Sequence, residues 1–590
     1  MTDARNRTQA TYICVPLMGA TCADLAAQID AARTAGTEMI ELRLDDLKHW
    51  TPGEIAELVQ PAREAGLRII ATCRIASEGG RYVGDESARF QLLQTAARAG
   101  ADYIDVEYEA WLAAGSPQLV EPEGGSGTKT RLILSQHDFT GTPSDLRAIL
   151  EALRATPAAV VKLACKAESI TDALRMLDLL HDVQQDAAAP SEPAEPQSPL
   201  LRGGSPATER PLASPPLRKG EPSPSPPFFK GGAEGVIALS MGEAGMLTRV
   251  LAKKLGALLT FAALDTGRES APGQPTLGDL RDLYRWDAIQ PDTPVYGVIG
   301  CPVGHSMSPA IHNAAFADVG HGGVYLPLRV EPSYEAFAEF LDGCLSRPWL
   351  HLHGLSVTIP HKENLLRYVQ EHGGEIDPLT RRIGVANTLV IGPCGTGVLP
   401  VDCGGTGGTC KLYAFNTDYR GALDALCEGL GCKWENLGGL SVAILGAGGV
   451  SRAIVAGLRD CGAEVTVYNR TFEKARALAD EFGARARPWE DRSCLDAQVV
   501  INCTSIGMWP KTEETPLPDW PRARPMAVFD TIYNPIETRL LREARRHGRV
   551  TIDGVAMFVN QAAAQFERWT HRKPPTQLMR EVVLRKLAGR

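Results

Sequence analysis

The run RIIATCRIASEGGRYVGDESARFQLLQTAARAGADYIDVEY, residues 68–108, holds one complete structural unit. RIIATCR and YIDVEY read as short apolar strands, and ESARFQLLQTAARAG between them carries apolar residues at helical spacing. Outward from this unit the pattern recurs. Strands are read at YICVPLMG (12–19) and MIELRLD (39–45) before it, and at RLILSQHDF (131–139), AVVKLACK (159–166), GVIALSMG (235–242) and LTFAAL (259–264) after it. A further helical pattern, ITDALRMLDLLHDVQQ, follows AVVKLACK. Eight strands alternating with helices imply an α/β fold, a closed parallel (β/α)8 TIM barrel over residues 11–287.

Between the sixth and seventh strands lies a segment, 187–233, dense in Pro, Ser and Gly. It has no periodicity with which to bury a core, so it is expected to be disordered. It joins a helix to the next strand, on the barrel face away from where such folds place their chemistry. A tolerated insertion is the preferred reading, and a docking segment the alternative.

The 590 residues exceed what one hydrophobic core supports. After a short linker, 288–294, a second unit opens with VYGVIGCPVGHSMSPAIHNAAF, and from about 438 comes LSVAILGAGGVSRAIVAGLRDCGAEVTVYNR. The latter is a strand, a Gly-rich turn, a helix and a strand. The second half therefore reads as two lobes, an α/β substrate lobe at 295–420 and a Rossmann-type lobe at 421–555. Closing helices at 556–590, beginning with MFVNQAAAQFERWT, are expected to pack back on the substrate lobe.

With 44% hydrophobic and 22% charged residues the composition is that of an ordinary globular protein. No run approaches the roughly 18 apolar residues of a membrane span. A net charge of −9 argues against non-specific nucleic-acid binding. The first residues, MTDARNRTQA, show no apolar leader, and the fourteen cysteines are scattered rather than arranged as a disulfide framework. A cytoplasmic protein with reduced thiols is expected. Cys394, Cys403 and Cys410 share a Gly-rich stretch but form no CxxC pair, so no metal is expected.

In the first half the informative residues are polar groups at the C-terminal ends of strands. Lys162 lies in an otherwise apolar strand, where desolvation would lower its pKa as an amine nucleophile requires. A lysine reaching the rim, or paired with Glu, is the plainer alternative. His137 ends the preceding strand; Arg74 and Glu78 follow strand three; Glu41 and Arg43 end strand two. Arg249 follows strand seven, and Ser270 and Gln274 follow strand eight. Six strands would thus send polar groups to one face.

ELRLD, the Arg74–Glu78–Gly–Gly stretch, His137–Asp138, Lys162, SMG with Arg249, and SAPGQ together resemble type I 3-dehydroquinate dehydratase. The resemblance implies that Lys162 forms a Schiff base with the substrate ketone. His137 would move the proton, with Glu78 orienting it. Arg249 would bind the carboxylate with Gln274 and Ser270. Glu41, Arg43 and Arg74 would hold ring hydroxyls or the other catalytic side chains, and no cofactor is needed.

In the second half, GAGGVSRA (446–453) follows a strand and opens a helix, the context of a pyrophosphate-binding turn. Ser451 stands where a third glycine is usual and is small enough for close packing. The next strand ends in VYNRT, with Asn469, Arg470 and Thr471 in place of the acidic residue that NAD-binding folds use on the ribose. A guanidinium suits a 2′-phosphate, favouring NADP; a solvated loop arginine is the alternative. The substrate lobe supplies Ser306, Ser308, Thr358, Lys362, Asn387 and Asp418.

These motifs, with NCTSIGM, Tyr533 in YNPIET and Gln561 in VNQAA, resemble shikimate dehydrogenase over nearly all of 293–590. The resemblance implies an acid/base pair of Lys362 and Asp418. It implies a substrate site of Ser306, Ser308, Thr358, Asn387, Tyr533 and Gln561. The implied cofactor site comprises Gly446, Ala447, Gly448, Gly449, Val450, Asn469, Arg470, Thr471 and Gly554. The segment 391–414 is longer than the family hairpin, which leaves the approach to Asp418 open. The joint reading is two consecutive reactions, 3-dehydroquinate to 3-dehydroshikimate to shikimate, on small molecules, with neither nucleic acid nor membrane as partner. A scaffold that has lost its chemistry and an NAD-linked quinate dehydrogenase are the competing readings. The intact catalytic positions and Arg470 weigh against them.

Overall fold

A computed structural model describes residues 11–120, 130–188, 235–392, 411–517 and 525–589. All but the first two residues of the Pro-rich segment 187–233, the cysteines 394, 403 and 410, and most of the long 391–414 stretch lie outside the described residues.

The first half forms one sheet of eight parallel strands: β1 (Tyr12–Met18), β2 (Met39–Arg43), β3 (Arg68–Thr72), β4 (Tyr103–Glu107), β5 (Arg131–Asp138), β6 (Val160–Lys166), β7 (Gly235–Met241) and β8 (Leu259–Phe261). From β1 to β7 each strand pairs with the next in sequence, and β8 returns to β1. Where β7 meets β8 there is no ladder; a backbone bond from Leu258 N to Val236 O, 2.9 Å, bridges the seam. The barrel is therefore nearly closed rather than closed. β8 is three residues long, not the six read from LTFAAL, which leaves little strand for β7 to pair with.

Alternation along the strands sorts the side chains. Ile104 and Val106 join the cluster under the surrounding helices, whereas Met39, Ile70, Tyr103, Ile133 and Val160 form an apolar plug inside the barrel. Two residues further along the same inward rows stand Glu41, Thr72, Asp105, Ser135 and Lys162, all buried. Charge in the interior is thus confined to the layer above the plug, at the C-terminal ends of the strands.

The second half begins with a mixed sheet: β9 (Val295–Gly300), β10 (Val324–Arg329), β11 (Leu352–Val357), β12 (Glu375–Ile376), β13 (Thr388–Gly392) and β14 (Lys411–Phe415), in the order β10-β9-β11-β13-β14-β12. A third sheet is all parallel: β15 (Ser441–Leu445), β16 (Glu464–Asn469), β17 (Arg485–Pro488), β18 (Val499–Asn502), β19 (Ala527–Asp530) and β20 (Val550–Ile552). Its order, β17-β16-β15-β18-β19-β20, is the doubly wound dinucleotide-binding arrangement.

The lobe boundary expected at 420/421 falls inside one continuous helix, Asp418–Leu430, and that at 555/556 falls just inside another, Gly554–Thr570. These two helices pack on each other and carry the chain from lobe to lobe, so neither boundary is a linker. The helix Gly554–Thr570 packs on the substrate lobe, where Trp569 donates from Nε1 to Leu389 O at 3.0 Å. A Cβ at Gly354 would lie 2.2 Å from that indole, so the strand must carry glycine there.

Barrel and substrate lobe share one apolar cluster, which runs from Leu174 and Leu177 to Phe337 and Leu341. Arg347 grips Asp178 with two hydrogen bonds of 2.7 and 2.6 Å. The short linker is itself tied down: the buried Lys254 ammonium donates to Pro291 O at 2.5 Å and Thr293 O at 3.0 Å.

Candidate active sites

Above the apolar plug of the barrel, one cavity is lined by Glu41, Arg43, Arg74, Glu78, His137, Lys162, Arg249, Ser270 and Gln274. Every residue proposed from sequence for this half therefore meets the others. Buried charges need partners. Lys162 Nζ lies 2.9 Å from Asp105 Oδ2 and 3.8 Å from Glu41 Oε1, and sits 4.7 Å from the centre of the Phe261 ring. The lysine is paired, not isolated among apolar side chains as its strand suggested. Arg74 bridges Asp105 (2.8 Å) and Glu107 (3.0 Å), and Arg89 takes the other oxygen of Glu107 at 2.5 Å. Burial pushes the Asp105 pKa up, but Arg74, Lys162 and His137 outweigh it and hold the carboxyl well below its usual range. Asp105 is therefore a carboxylate next to the amine.

His137 ends β5 against Glu78. Glu78 Oε2 accepts the His137 backbone N–H at 3.0 Å and lies 2.9 Å from ring Nδ1. Glu78 closes a short turn, Ala76–Glu78, and Gly79 after it has φ 77°; a Cβ there would lie 2.3 Å from the Phe139 ring. Burial, with Arg74 and Lys162 nearby, pulls the His137 pKa well below 6.5, so the ring is neutral at pH 7. Burial raises Glu78 to about 7, against the opposing pull of Arg74. With Nδ1–H directed at Glu78, Nε2 keeps a lone pair for a proton.

Arg249, from the helix Met246–Leu251, is 1% exposed, and its Nε and Nη2 have no hydrogen-bond partner among the described residues. Burial pulls its pKa down to about 10. Gln274 spends its carbonyl on Ser270 N at 2.7 Å and leaves Nε2 unpartnered. An orphaned guanidinium and an orphaned amide facing one cavity suit an anion. Arg43 has a partner already, in a two-bond pair with Asp45 at 2.9 Å.

Between the lobes of the second half, another cleft is lined by Ser306, Ser308, Thr358, Lys362, Asn387, Asp418, Tyr533 and Gln561, with Val450 and Gly554. Lys362 and Asp418 are the first residues of their helices, Lys362–Glu371 and Asp418–Leu430, and Nζ to Oδ2 is 2.6 Å. Asn387 Nδ2 donates to the second carboxylate oxygen at 2.9 Å. Beneath them, Gln565 accepts from Ser356 Oγ at 2.8 Å and donates to Thr388 Oγ1 at 3.1 Å, bracing the strand that follows Asn387.

The Gly-rich turn leaves β15 through Gly446, φ 111°, where a Cβ would lie 3.1 Å from Cys503 O. Gly448 caps the helix Gly449–Asp460, and its N–H reaches the fully buried Ser451 hydroxyl at 3.3 Å. Asn469 donates to Thr471 O at 2.8 Å, and Arg470 beside it is exposed without an ion pair or hydrogen bond among the described residues. Gly554 must also lack a Cβ, which would lie 2.4 Å from Ile532 O.

The sequence reading missed Asp105, Glu107 and Ser135 in the barrel, and Ser356 and Gln565 in the second cleft. Asp105 and Glu107 alternate with Tyr103 in YIDVEY, a parity that shows which residues share a face but not that the face is turned inward.

A barrel with a lysine beside a carboxylate, followed by a two-lobed α/β unit with a lysine–aspartate pair at a dinucleotide turn, defines a two-site enzyme. Residues 13–191 and 230–291 match the family model described as type I 3-dehydroquinase. Residues 298–389 match the shikimate dehydrogenase substrate-binding domain, and 554–584 the shikimate 5′-dehydrogenase C-terminal domain. Residues 441–515 match a model described as NADP oxidoreductase, coenzyme F420-dependent. The chloroplastic bifunctional 3-dehydroquinate dehydratase/shikimate dehydrogenase of Arabidopsis thaliana is 34% identical over 97% of this chain and 84% of its own. A shikimate dehydrogenase (NADP(+)) of Methanosarcina mazei is 38% identical over 50% of this chain and 98% of its own. A crystal structure of shikimate 5-dehydrogenase from Thermus thermophilus with NADP(H) and shikimate is 33% identical over 50% of this chain and 99% of that one, with a TM-score of 0.41. The chain belongs to the family of bifunctional 3-dehydroquinate dehydratase/shikimate dehydrogenases.

Proposed function

We propose that the barrel dehydrates 3-dehydroquinate to 3-dehydroshikimate and that the second half reduces that product to shikimate with NADPH. The observation that carries the reading is the unpartnered Arg249 guanidinium facing the same cavity as Lys162. A substrate with a carboxylate at one end and a ketone at the other satisfies both. Lys162 Nζ adds to the ketone and expels its oxygen as water, forming an iminium that acidifies the neighbouring C–H. The Asp105 carboxylate, 2.9 Å from Nζ, holds the amine in position for that attack. His137 Nε2 takes the carbon-bound proton and returns one to the departing hydroxyl; Glu78 holds the ring in the tautomer this requires. Hydrolysis of the iminium frees the enone.

In the second cleft the residues fit a dinucleotide: a glycine turn open to a helix N-terminus, and a guanidinium with no competing carboxylate. Gly446, Ala447, Gly448, Gly449 and Val450 would hold the pyrophosphate, Asn469, Arg470 and Thr471 the phosphorylated ribose, and Gly554 would face the nicotinamide side. Bound NADPH supplies a hydride to the ring ketone. Lys362 and Asp418 deliver the proton to the ketone oxygen. Ser306, Ser308, Thr358, Asn387, Tyr533 and Gln561 position the carboxylate and hydroxyls.

No helix among the described residues is long and apolar enough to cross a membrane. The described cysteines are free thiols, which suits a reducing compartment, and a cytoplasmic setting is our reading of it.

Supplying 3-dehydroquinate alone should produce enone absorbance, and adding NADPH should consume it. Enone that persists in the presence of NADPH would remove the second assignment, and no enone at all the first.

A further inference from the structure

A barrel side chain reaches the loop that leads into the dehydrogenase cleft. β7 ends at Met241, which lines the dehydratase cavity. Gly242 follows with φ 90°, and its N–H donates to Pro272 O at 3.0 Å, clamping the loop that carries Ser270 and Gln274. The contact is tight, since a Cβ at Gly273 would lie 2.4 Å from Gly242 O. The next residue, Glu243, points the other way. Its Oε1 accepts the Gly304 N–H at 3.1 Å, and its Oε2 lies 3.4 Å from Arg329 Nε, at the end of β10. Gly304 leads directly into His305 and Ser306, which line the dehydrogenase cleft, and Ser306 Oγ accepts Ser308 N at 3.3 Å. A side chain on residue 304 would crowd this bond, because its Cβ would lie 2.9 Å from Glu243 Oε1.

We propose that Glu243 is a positioning residue for the dehydrogenase: from the barrel, it fixes the Gly304–Ser306 loop in the register that binds substrate. The proposal rests on the functional reading above. Physically, a carboxylate that accepts a backbone N–H makes a charge-assisted bond, stronger than a neutral one, and Arg329, which pairs more closely with Glu331 at 2.9 Å, adds a weaker contact to it. Loops anchored only by their own chain lose such preorganisation, and the loss appears in substrate binding rather than in the chemical step. The dehydratase fold then helps to shape the dehydrogenase substrate site without lining it.

The test uses the full chain. Glu243→Ala should raise KM for shikimate about three- to tenfold, leave kcat at saturation within about twofold, and leave KM for NADP unchanged. Glu243→Gln keeps an oxygen for the Gly304 N–H and should recover most of the wild-type KM. Arg329→Ala should give a smaller rise than Glu243→Ala, because the Gly304 bond survives. Dehydratase turnover reports that each variant is folded. A shikimate KM in Glu243→Ala within twofold of wild type, or equal losses in kcat and in NADP binding, would overturn the proposal. A wild-type chain that fails to oxidise shikimate would overturn the functional reading and the proposal with it.

Discussion

Lys162 and Asp105 are joined across the barrel interior, Nζ to Oδ2 at 2.9 Å, and Arg74 meets the same carboxylate oxygen at 2.8 Å. All three side chains are buried. Removing one partner from such a network leaves an uncompensated charge, which costs about 3–5 kcal/mol. Asp105→Asn should therefore lower the barrel's stability to urea by about that amount. Asp46→Asn, which breaks the exposed pair with Arg81 at 2.7 Å, should cost no more than about 1 kcal/mol. Equilibrium unfolding of the two variants side by side checks the difference.

Arg249 presents the opposite case, a buried guanidinium whose Nε and Nη2 have no partner among the described residues. Its pKa in the fold, about 10, lies below that of a free arginine, so at neutral pH the charge opposes folding. Arg249→Leu should raise stability by about 1–3 kcal/mol while raising KM for 3-dehydroquinate by one to two decades. A variant that loses stability as well as substrate affinity would show Arg249 to be structural.

Glu78 sets the expected pH dependence. Its pKa of about 7 is above the 4.5 of a free glutamate, so the carboxylate that orients His137 is lost as pH falls through 7. Dehydratase kcat/KM should rise with pH across that region. In Glu78→Gln the maximal rate should fall about tenfold or more, and the acid limb should move to lower pH, towards that of the depressed His137. An unchanged limb in the variant would assign it to another group.

How far the sequence reveals all this depends on what fixes each residue. Strand period two places Lys162, His137 and Arg74 on the same side as the inward rows of their strands, and the glycines of GAGGVS mark their own turn. Asp105 and Glu107 were passed over because YIDVEY reads equally as a half-exposed strand; only barrel closure turns its polar face inward. Gln565 lies 178 residues from Asn387, whose carbonyl it meets at 3.2 Å, and no local pattern reports such a contact. The seam between β7 and β8 and the helix across the expected 420/421 boundary are likewise products of packing.

Arg470 is the residue on which we propose that the choice of NADP over NAD turns. Exposed and unpaired among the described residues at the end of β16, it has no partner to lose in the fold. A hydrogen bond to a charged group contributes roughly 1.5–3 kcal/mol. Arg470→Ala should raise KM for NADP by about one to two decades, leave KM for NAD nearly unchanged, and barely alter turnover at saturation. Equal weakening of both cofactors would make Arg470 a structural loop residue.

Two separate sites in one chain act in sequence, and Lys162→Ala should silence the first while leaving the second intact. NADPH oxidation should be followed with this variant on two substrates. With 3-dehydroshikimate, the variant should consume NADPH at the wild-type rate; with 3-dehydroquinate, it should consume none, because the enone is never formed. Steady NADPH consumption from 3-dehydroquinate by Lys162→Ala would show that the dehydration does not run through Lys162.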